Sequence, residues 1–577
     1  MGKHSGAVHV ARVVRKYKDR EYVSWLLRRS YRDAGKVRHE TLANLSALPA
    51  QAIADLRASL AGRRLVAADE AFEVTRSLPH GHLAAVWAMA RKLGFPALLG
   101  PAGPERDLAM ALVVARVCEP DSKLATTRWW RDTTLAVDLG VAEASTDQVY
   151  AAMDWLGDRQ DQIEQRLAKR HLTPGGRVYY DLSSSWVEGR CCPLAARGYS
   201  RDRKRGLAQI EYGLLTDPEG HPVAVEVFAG NTGDPATVPA AVAKLRDRFG
   251  IQRIVMVGDR GMLTAARVDA LRELGGVGWI TTLRAPAIAV LAQAGTIQPS
   301  LFDQHHLAEV THPDYPGERL VVCRNPLLGA ERARKRGELL AATQAELDKV
   351  VASVEAGKLA DPAKIGVRVG RVLGRFKMAK HFTLDIADHR FAYARNQEAI
   401  NAEAALDGIY VVRTSVTAGE LDAAGVVEAY KRLAGVERDF RSLKTVDLEL
   451  RPIYHHLEQR VRAHVLVCLL AAYLVWHLRR AWAPLTFTDE TPPNPTDPVA
   501  PAERSKAAQV KASQRELPDG TPAHSFHTLL QHLATLTRDD ITFTSPVGVR
   551  IQKLATPTPT QHKAFELIQA AIPLTLT

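Results

Sequence analysis

Between residues 177 and 284 the hydrophobic period switches from helical to alternating, and that switch limits what the chain can fold into. "GRVYYDLSSSWV", "AQIEYGLLTD" and "HPVAVEVFAGN" are β-type runs joined by turn signals, with "DPEGHP" between the second and third. "ATVPAAVAKLRDRFG" follows as a helix, "QRIVMVGDRG" as a buried strand, "LTAARVDALREL" as a helix and "VGWITTLR" as another strand. Three hairpin-linked strands followed by alternating helices and strands predict a mixed α/β sheet covered by helices.

At 577 residues the chain exceeds what one hydrophobic core organises, so two to four domains are expected. The first 40 residues hold 11 Lys+Arg against 4 Asp+Glu. Short apolar-rich runs there (residues 8–14, 22–27 and 37–42) read as a strand-and-turn module, and residues 1–80 are taken as a basic N-terminal domain. Its Lys16, Lys18, Arg28 and Arg29, interleaved with Tyr17, Tyr22, Trp25 and Tyr31, offer phosphate contacts and stacking surfaces, or simply a solvated basic face. Apolar positions three and four apart make residues 81–172 a helical domain. Residues 173–284 and 426–483 form the core, interrupted by an irregular insertion at 285–425 with a long amphipathic helix around Leu339 to Val354 and a returning strand at "GIYVVRTSV". The Pro-rich stretch 484–524 reads as a linker and 525–577 as a C-terminal tail.

A net charge of +12 and a pI near 9.4 suggest a polyanionic partner. The five cysteines show no zinc spacing and no disulfide framework, which fits a reducing cytosol. The most apolar run, residues 465–476, is too short for the roughly 20 residues that span a bilayer, so it is expected as a core helix and no membrane partner is expected.

Three carboxylates stand out. Asp181 lies inside the apolar run "RVYYDLSSSW", and Asp259 stands at the end of the strand in "VMVGDRGM", where ligand sites of α/β sheets form. In "YKRLAGVERDFRSLK" an apolar stripe of Leu433, Val436, Phe440 and Leu443 places Tyr430, Glu437 and Lys444 within about 40° of one another at its edge. The same geometry turns Asp439 away from the stripe, as the solvated carboxylate. Converging carboxylates repel one another by several kcal/mol unless a cation lies between them, and hard oxygen ligands favour magnesium or manganese. Two such ions suit in-line displacement at phosphorus.

Asp181, Asp259 and Glu437, separated by 78 and 178 residues, resemble the catalytic triplet of the DDE transposases of insertion sequences. The helix resembles their Tyr-x2-Arg-x3-Glu-x6-Lys signature at Tyr430, Glu437 and Lys444, and departs from it at Leu433, where the signature has Arg; Arg441 is the candidate replacement. "GYSRDRKRG", "VFAGNTGD" and "CRNPLLGAERARKR" are similar to stretches of a subgroup. The resemblance implies a ribonuclease-H-like core with a large insertion before the last catalytic helix, and Asp181 and Asp259 on neighbouring strands. It implies two Mg2+ ions, with Mn2+ substituting, held by the triplet, and contacts from Tyr430 and Lys444 to the DNA backbone. Cleavage at terminal inverted repeats and transfer of 3′-OH ends into target DNA would follow, with a homodimer on double-stranded DNA, no small-molecule substrate and a bacterial, nucleoid-associated cytoplasmic location.

Other positions carry plainer readings. Asp234, followed by Pro235, reads as a helix N-cap. Arg201, Arg203, Lys204 and Arg205 could hold phosphate or form a basic hairpin tip. His455 and His456 have no ligand partner at useful spacing. A ribonuclease-H-like nuclease without strand transfer, and an inert DNA-binding regulator, are the competing functions.

Overall fold

A computed structural model describes residues 6–576 except 34, 64–69, 205, 303–304, 494–496 and 545–547; Arg205 lies outside the described residues. The chain divides into two compact units, Met1–His80 with Leu536–Pro557, and Gly81–Thr535 with Thr558–Thr577. In the first, alternating runs pair as β1 (Ala7–Tyr17), β2 (Arg20–Asp33) and β3 (Lys36–Asn44), an antiparallel sheet with β2 in the middle. A helix, Ala50–Leu60, follows, and then β4 (Phe72–Pro79).

The second unit begins with helices between Gly81 and His171, whose apolar faces are buried together. They lead into β5 (Arg177–Trp186), β6 (Gln209–Thr216), β7 (Pro222–Ala229), β8 (Ile254–Val257) and β9 (Val277–Thr282). β6 is buried along its whole length because helices cover both faces of the sheet. β5, β6 and β7 run antiparallel, while β8 lies parallel to β5 and β9 parallel to β8. The order β7-β6-β5-β8-β9 is that of a ribonuclease-H-like sheet.

The insertion does more than interrupt this core. Its β10 (Leu307–Val310) and β11 (Arg319–Arg324), joined to β9 through the later strand β14 (Ile409–Thr414), extend the sheet to eight strands in the order β10-β11-β14-β9-β8-β5-β6-β7. Between β11 and β14 stand the helices Pro326–Glu355 and Pro362–Phe376 and the hairpin of β12 (Phe382–Ala387) with β13 (Arg390–Arg395), packed around Leu340, Leu347, Ile365 and Phe391. The returning strand is β14 (Ile409–Thr414), antiparallel to both β11 and β9.

Two helices then close the core. Ala423–Arg441 lies against the sheet, and Glu458–Ala481 runs through the interior. The latter is twice the length of the apolar run seen in the sequence. It is long and apolar enough to cross a membrane, yet 83% of its most hydropathic window is buried by protein, which makes it a core helix. The stretch expected as a linker departs from that reading: it carries the helix Lys506–Gln514 and buries Val499, Ala508 and Leu517. Lys511 anchors it, donating to the Ala483 carbonyl and to Glu490. Of the expected tail, β15 (Thr537–Phe543) returns to the first unit, pairing with β4 on one side and β16 (Arg550–Leu554) on the other.

Candidate active site

Parallel pairing sets the first two carboxylates. Tyr179 of β5 pairs with Val257 of β8, so Asp181, within β5 and still paired with Leu214 of β6, and Asp259, just past the end of β8, stand at the same level. Asp181 is half-buried, and its Oδ1 accepts the Leu182 amide; Asp259 is exposed beyond the strand end. Gly261 stays without a side chain beside it: a Cβ there would lie 3.4 Å from Asp259 Oδ2 and 3.6 Å from Asp234 Oδ2.

Glu437 comes from the helix Ala423–Arg441. Val426, Val427, Leu433, Val436 and Phe440 bury one face of that helix against the sheet, and Glu437 stays exposed at its margin. Asp181, Asp234, Asp259 and Glu437 line one cavity of about 420 Å³, together with Arg201, Asp202, Arg441, Lys444 and Arg451. Burial pushes the Asp181 carboxyl up to about 7; the Leu182 amide and Arg201 oppose the shift, and the charges of Glu437 and Asp259 add to it.

Basic residues frame these acids. Arg201 donates to Glu211 at 2.9 Å and to Asp234 at 2.5 Å. Glu211 is itself pushed up to about 7 by burial, against the pull of Arg201. Lys444 donates to Ser183 Oγ at 3.1 Å and pairs with Asp202 at 2.5 Å, an acid it shares with Arg451. It is buried, and burial holds its ammonium below the ordinary lysine range. The α-helix stops at Arg441 and a wider turn, Ser442–Val446, follows, which carries Lys444 inward from the line an ideal helix would give.

Tyr430 is half-buried, with its hydroxyl 3.1 Å from Thr282 Oγ1. It shares a neighbouring cavity of about 330 Å³ with Asp259 and Arg260. Arg441 is exposed, and its guanidinium has no protein partner among the described residues. Lys204 lies over the Trp186 ring. In the first unit, Lys16 pairs with Glu21 and Arg29 with Glu40, Lys18 lies over the Tyr17 ring, and Arg28 is half-buried.

Two expectations are corrected, for Asp439 and Asp234. Asp439 is not solvated. The turn after β6 and the interior helix cover that side of Ala423–Arg441, so its Oδ2 is buried without a hydrogen-bond partner and burial pushes the carboxyl up to about 7. Asp234 is not an N-cap: Gly233 takes the extended capping position, and Asp234 opens the helix with its carboxylate on Arg201. Leu433, where the signature has Arg, is buried in the helix's apolar face, so a charged side chain there would have to displace packing.

Sequence reasoning also missed Asp202 and Ser183, which hold Lys444, and Glu211, which holds Arg201. It missed a cavity of about 520 Å³ that adjoins through Arg451 and is lined by Arg116, Lys123, Tyr150 and Arg460. Arg116 and Lys123 are buried there with no carboxylate partner among the described residues. No local signal marked these residues, since each owes its role to neighbours distant in the chain. On the same wall the rings of His455 and His464 meet at a tilt, 5.2 Å apart, and His455 packs edge to face with Tyr150.

The ribonuclease-H-like sheet thus carries one acidic side chain within β5 and a second just past the end of the parallel β8, with a third on the helix packed against the sheet. Residues 10–71 match the N-terminal domain of IS1634 family transposases, and residues 190–474 match the transposase DDE domain, a stretch that contains Asp259 and Glu437 and opens just after Asp181. The two matches span more than half of the chain, which belongs to the DDE transposases of insertion sequences. No curated protein matches. Among solved structures, a piggyBac transposase in a synaptic complex with hairpin DNA aligns over 79% of this chain and 76% of its own at 10% identity, with a TM-score of 0.34, a likeness too slight to carry an argument.

Proposed function

We propose that this transposase cuts DNA at the terminal inverted repeats of its element and joins the freed 3′-OH ends to target DNA, with Asp181, Asp259 and Glu437 as the catalytic carboxylates. The observation that carries the proposal is their meeting in one cavity, where the charges of Asp259 and Glu437 help push the Asp181 carboxyl up. Such a cluster calls for a cation, and an all-oxygen donor set fits a hard one. Two magnesium ions, for which manganese would substitute, would activate an attacking oxygen and stabilise a leaving one.

The chain's own side chains would position the DNA. Tyr430, Lys444 and Arg441 stand around the carboxylates to take backbone phosphates, with DNA competing against Asp202 for Lys444 and Arg451. Arg116 and Lys123, buried without acidic partners beside this cavity, offer a further place for a phosphate. The basic N-terminal module would recognise the ends, and a homodimer would hold two of them together in the cytoplasm, on the nucleoid.

End-bearing DNA incubated with a target plasmid and Mg2+ tests the reading. Joined product is expected; cleavage without joining would leave a nuclease, and binding without either would leave a regulator. Arg441→Ala is expected to weaken binding of end DNA about tenfold, near 1.4 kcal/mol, with thermal unfolding unchanged because the guanidinium supports nothing in the fold. An electrophoretic mobility titration checks it, and unchanged affinity would remove Arg441 from the DNA path.

A further inference from the structure

A second group of metal-binding side chains gathers on elements that the carboxylate cavity does not use. His171 ends the helix Gln160–His171, Asp217 and His221 bracket the turn between β6 and β7, and Tyr473 and His477 come from the interior helix. One ligand atom from each of His171, Asp217 and His221 lies within 4.8 Å of the others. Asp217 Oδ1 is fixed by the amides of Glu219 and His221, while Oδ2 accepts His221 Nδ1 at 2.7 Å and stands 3.5 Å from His171 Nδ1.

The surroundings of this trio suit a cation. His171 Nε2 is 2.8 Å from the Tyr473 hydroxyl, the outer hydrogen bond that orients a ligating imidazole and leaves its other nitrogen free to bind. The His477 ring lies 5.2 Å from that of His221, and its Nε2 is buried with no hydrogen-bond partner among the described residues. Two imidazoles on one tetrahedral ion, with metal–nitrogen bonds of roughly 2.0–2.1 Å, have centroids about 5 Å apart; the His171 and His221 rings, stacked at 4.1 Å, would spread to share one. The buried, unpartnered Asp439 Oδ2 also faces this turn, 3.8 Å from where a Cβ of Gly220 would stand. Asp217 pairs with the two histidines and, among the described residues, with no lysine or arginine.

We propose that His171, Asp217 and His221 bind one zinc ion, with His477 Nε2 as the fourth ligand. Imidazole nitrogens and one carboxylate form a borderline donor set, which selects zinc over the hard ion suited to the all-carboxylate cavity. Binding replaces the hydrogen bond between His221 Nδ1 and Asp217 Oδ2 with a bond from each to the ion, the imidazole proton residing on Nε2. The ion ties three segments whose ligands span more than 300 residues, locking the last helix of the N-terminal helical layer and the interior helix onto the β6–β7 edge of the sheet.

The test uses the full chain, stripped with a chelator and titrated with Zn2+ against a chromophoric competitor. One equivalent is expected to bind, raising the thermal midpoint, and Co2+ in its place is expected to give the strong visible bands of a tetrahedral site. His171→Gln and His221→Gln are each expected to weaken binding by roughly a hundredfold or more, while Asp181→Asn leaves it unchanged. Equal zinc affinity in the two histidine variants, or loss of binding in Asp181→Asn, would overturn the assignment. Should a histidine variant fail to fold, the Co2+ spectrum of the unaltered chain decides, and an octahedral spectrum or none counts against the site.

Discussion

Asp181→Asn, Asp259→Asn and Glu437→Gln are each expected to lower both DNA cleavage and strand transfer by at least about a thousandfold, near 4 kcal/mol of transition-state stabilisation. Each removes an anionic ligand while keeping the shape of the side chain. End DNA is expected to bind the variants as it binds the unaltered chain, because its contacts come from basic side chains. Gel assays of cleavage, joining and binding on one set of preparations separate the two effects; joined product at the unaltered rate in any variant would remove that residue from the site.

Stability moves the other way at Asp181. Its folded pKa, pushed up to about 7, lies above the ordinary carboxylate value, so folding favours the protonated form. The stability this provides is fully present below about pH 4 and is lost as pH rises to about 7. Glu211 and Asp439, also raised to about 7, act with the same sign. In metal-free buffer at pH 8, Asp181→Asn is therefore expected to be more stable than the unaltered chain, by roughly 1–3 kcal/mol, with a flatter dependence on pH between 4 and 7. Added Mg2+ is expected to narrow the gap by stabilising only the unaltered chain. Denaturant titrations across pH check this, and a less stable Asn variant at pH 8 would contradict it.

The second large effect concerns the fold alone. Glu164, fully buried on the helix Gln160–His171, accepts Lys244 at 2.8 Å, the Val225 amide at 2.9 Å and Gln160. Lys244 also reaches Glu226 at 2.9 Å. Lys244→Ala leaves Glu164 in the interior without its cation and is expected to cost about 3–5 kcal/mol. Burial already pushes the Glu164 carboxyl above its ordinary value even with Lys244 present. The variant is thus expected to recover part of its loss at low pH, where Glu164 enters the fold neutral. Urea unfolding at pH 5 and pH 8 checks the difference, and a cost under 1 kcal/mol at pH 8 would show that the pair does not hold helix to sheet.

The catalytic sheet was legible because its signals are local. Apolar β-type runs between turn signals mark β5 to β7, the apolar run before Gly258 marks β8, and "GIYVVRTSV" marks β14. The proposed triplet drew notice on local signals too: Asp181 lies within an apolar strand, Asp259 just past the end of one, and Glu437 at the edge of a stripe. What escaped depends on neighbours remote in sequence. Asp439 looked solvated because a single helix wheel cannot show the β6–β7 turn and interior helix packed on its far side. Asp234 looked like a cap because the partner that explains it, Arg201, lies 33 residues earlier on an irregular loop. Lys444 was drawn on an ideal helix that in fact ends three residues before it. The Pro-rich stretch around 500 looked unstructured because its apolar residues are few, yet Val499 and Leu517 suffice to seat it on the core.

Diffraction from crystals of the chain with end DNA and Mn2+, recorded at the manganese absorption edge, tests the central claim most directly. Two anomalous peaks about 3.5–4 Å apart, ligated between them by Asp181, Asp259 and Glu437, are the predicted result. Manganese bound elsewhere, or a Glu437 carboxylate that touches neither ion while DNA is engaged, would contradict the account.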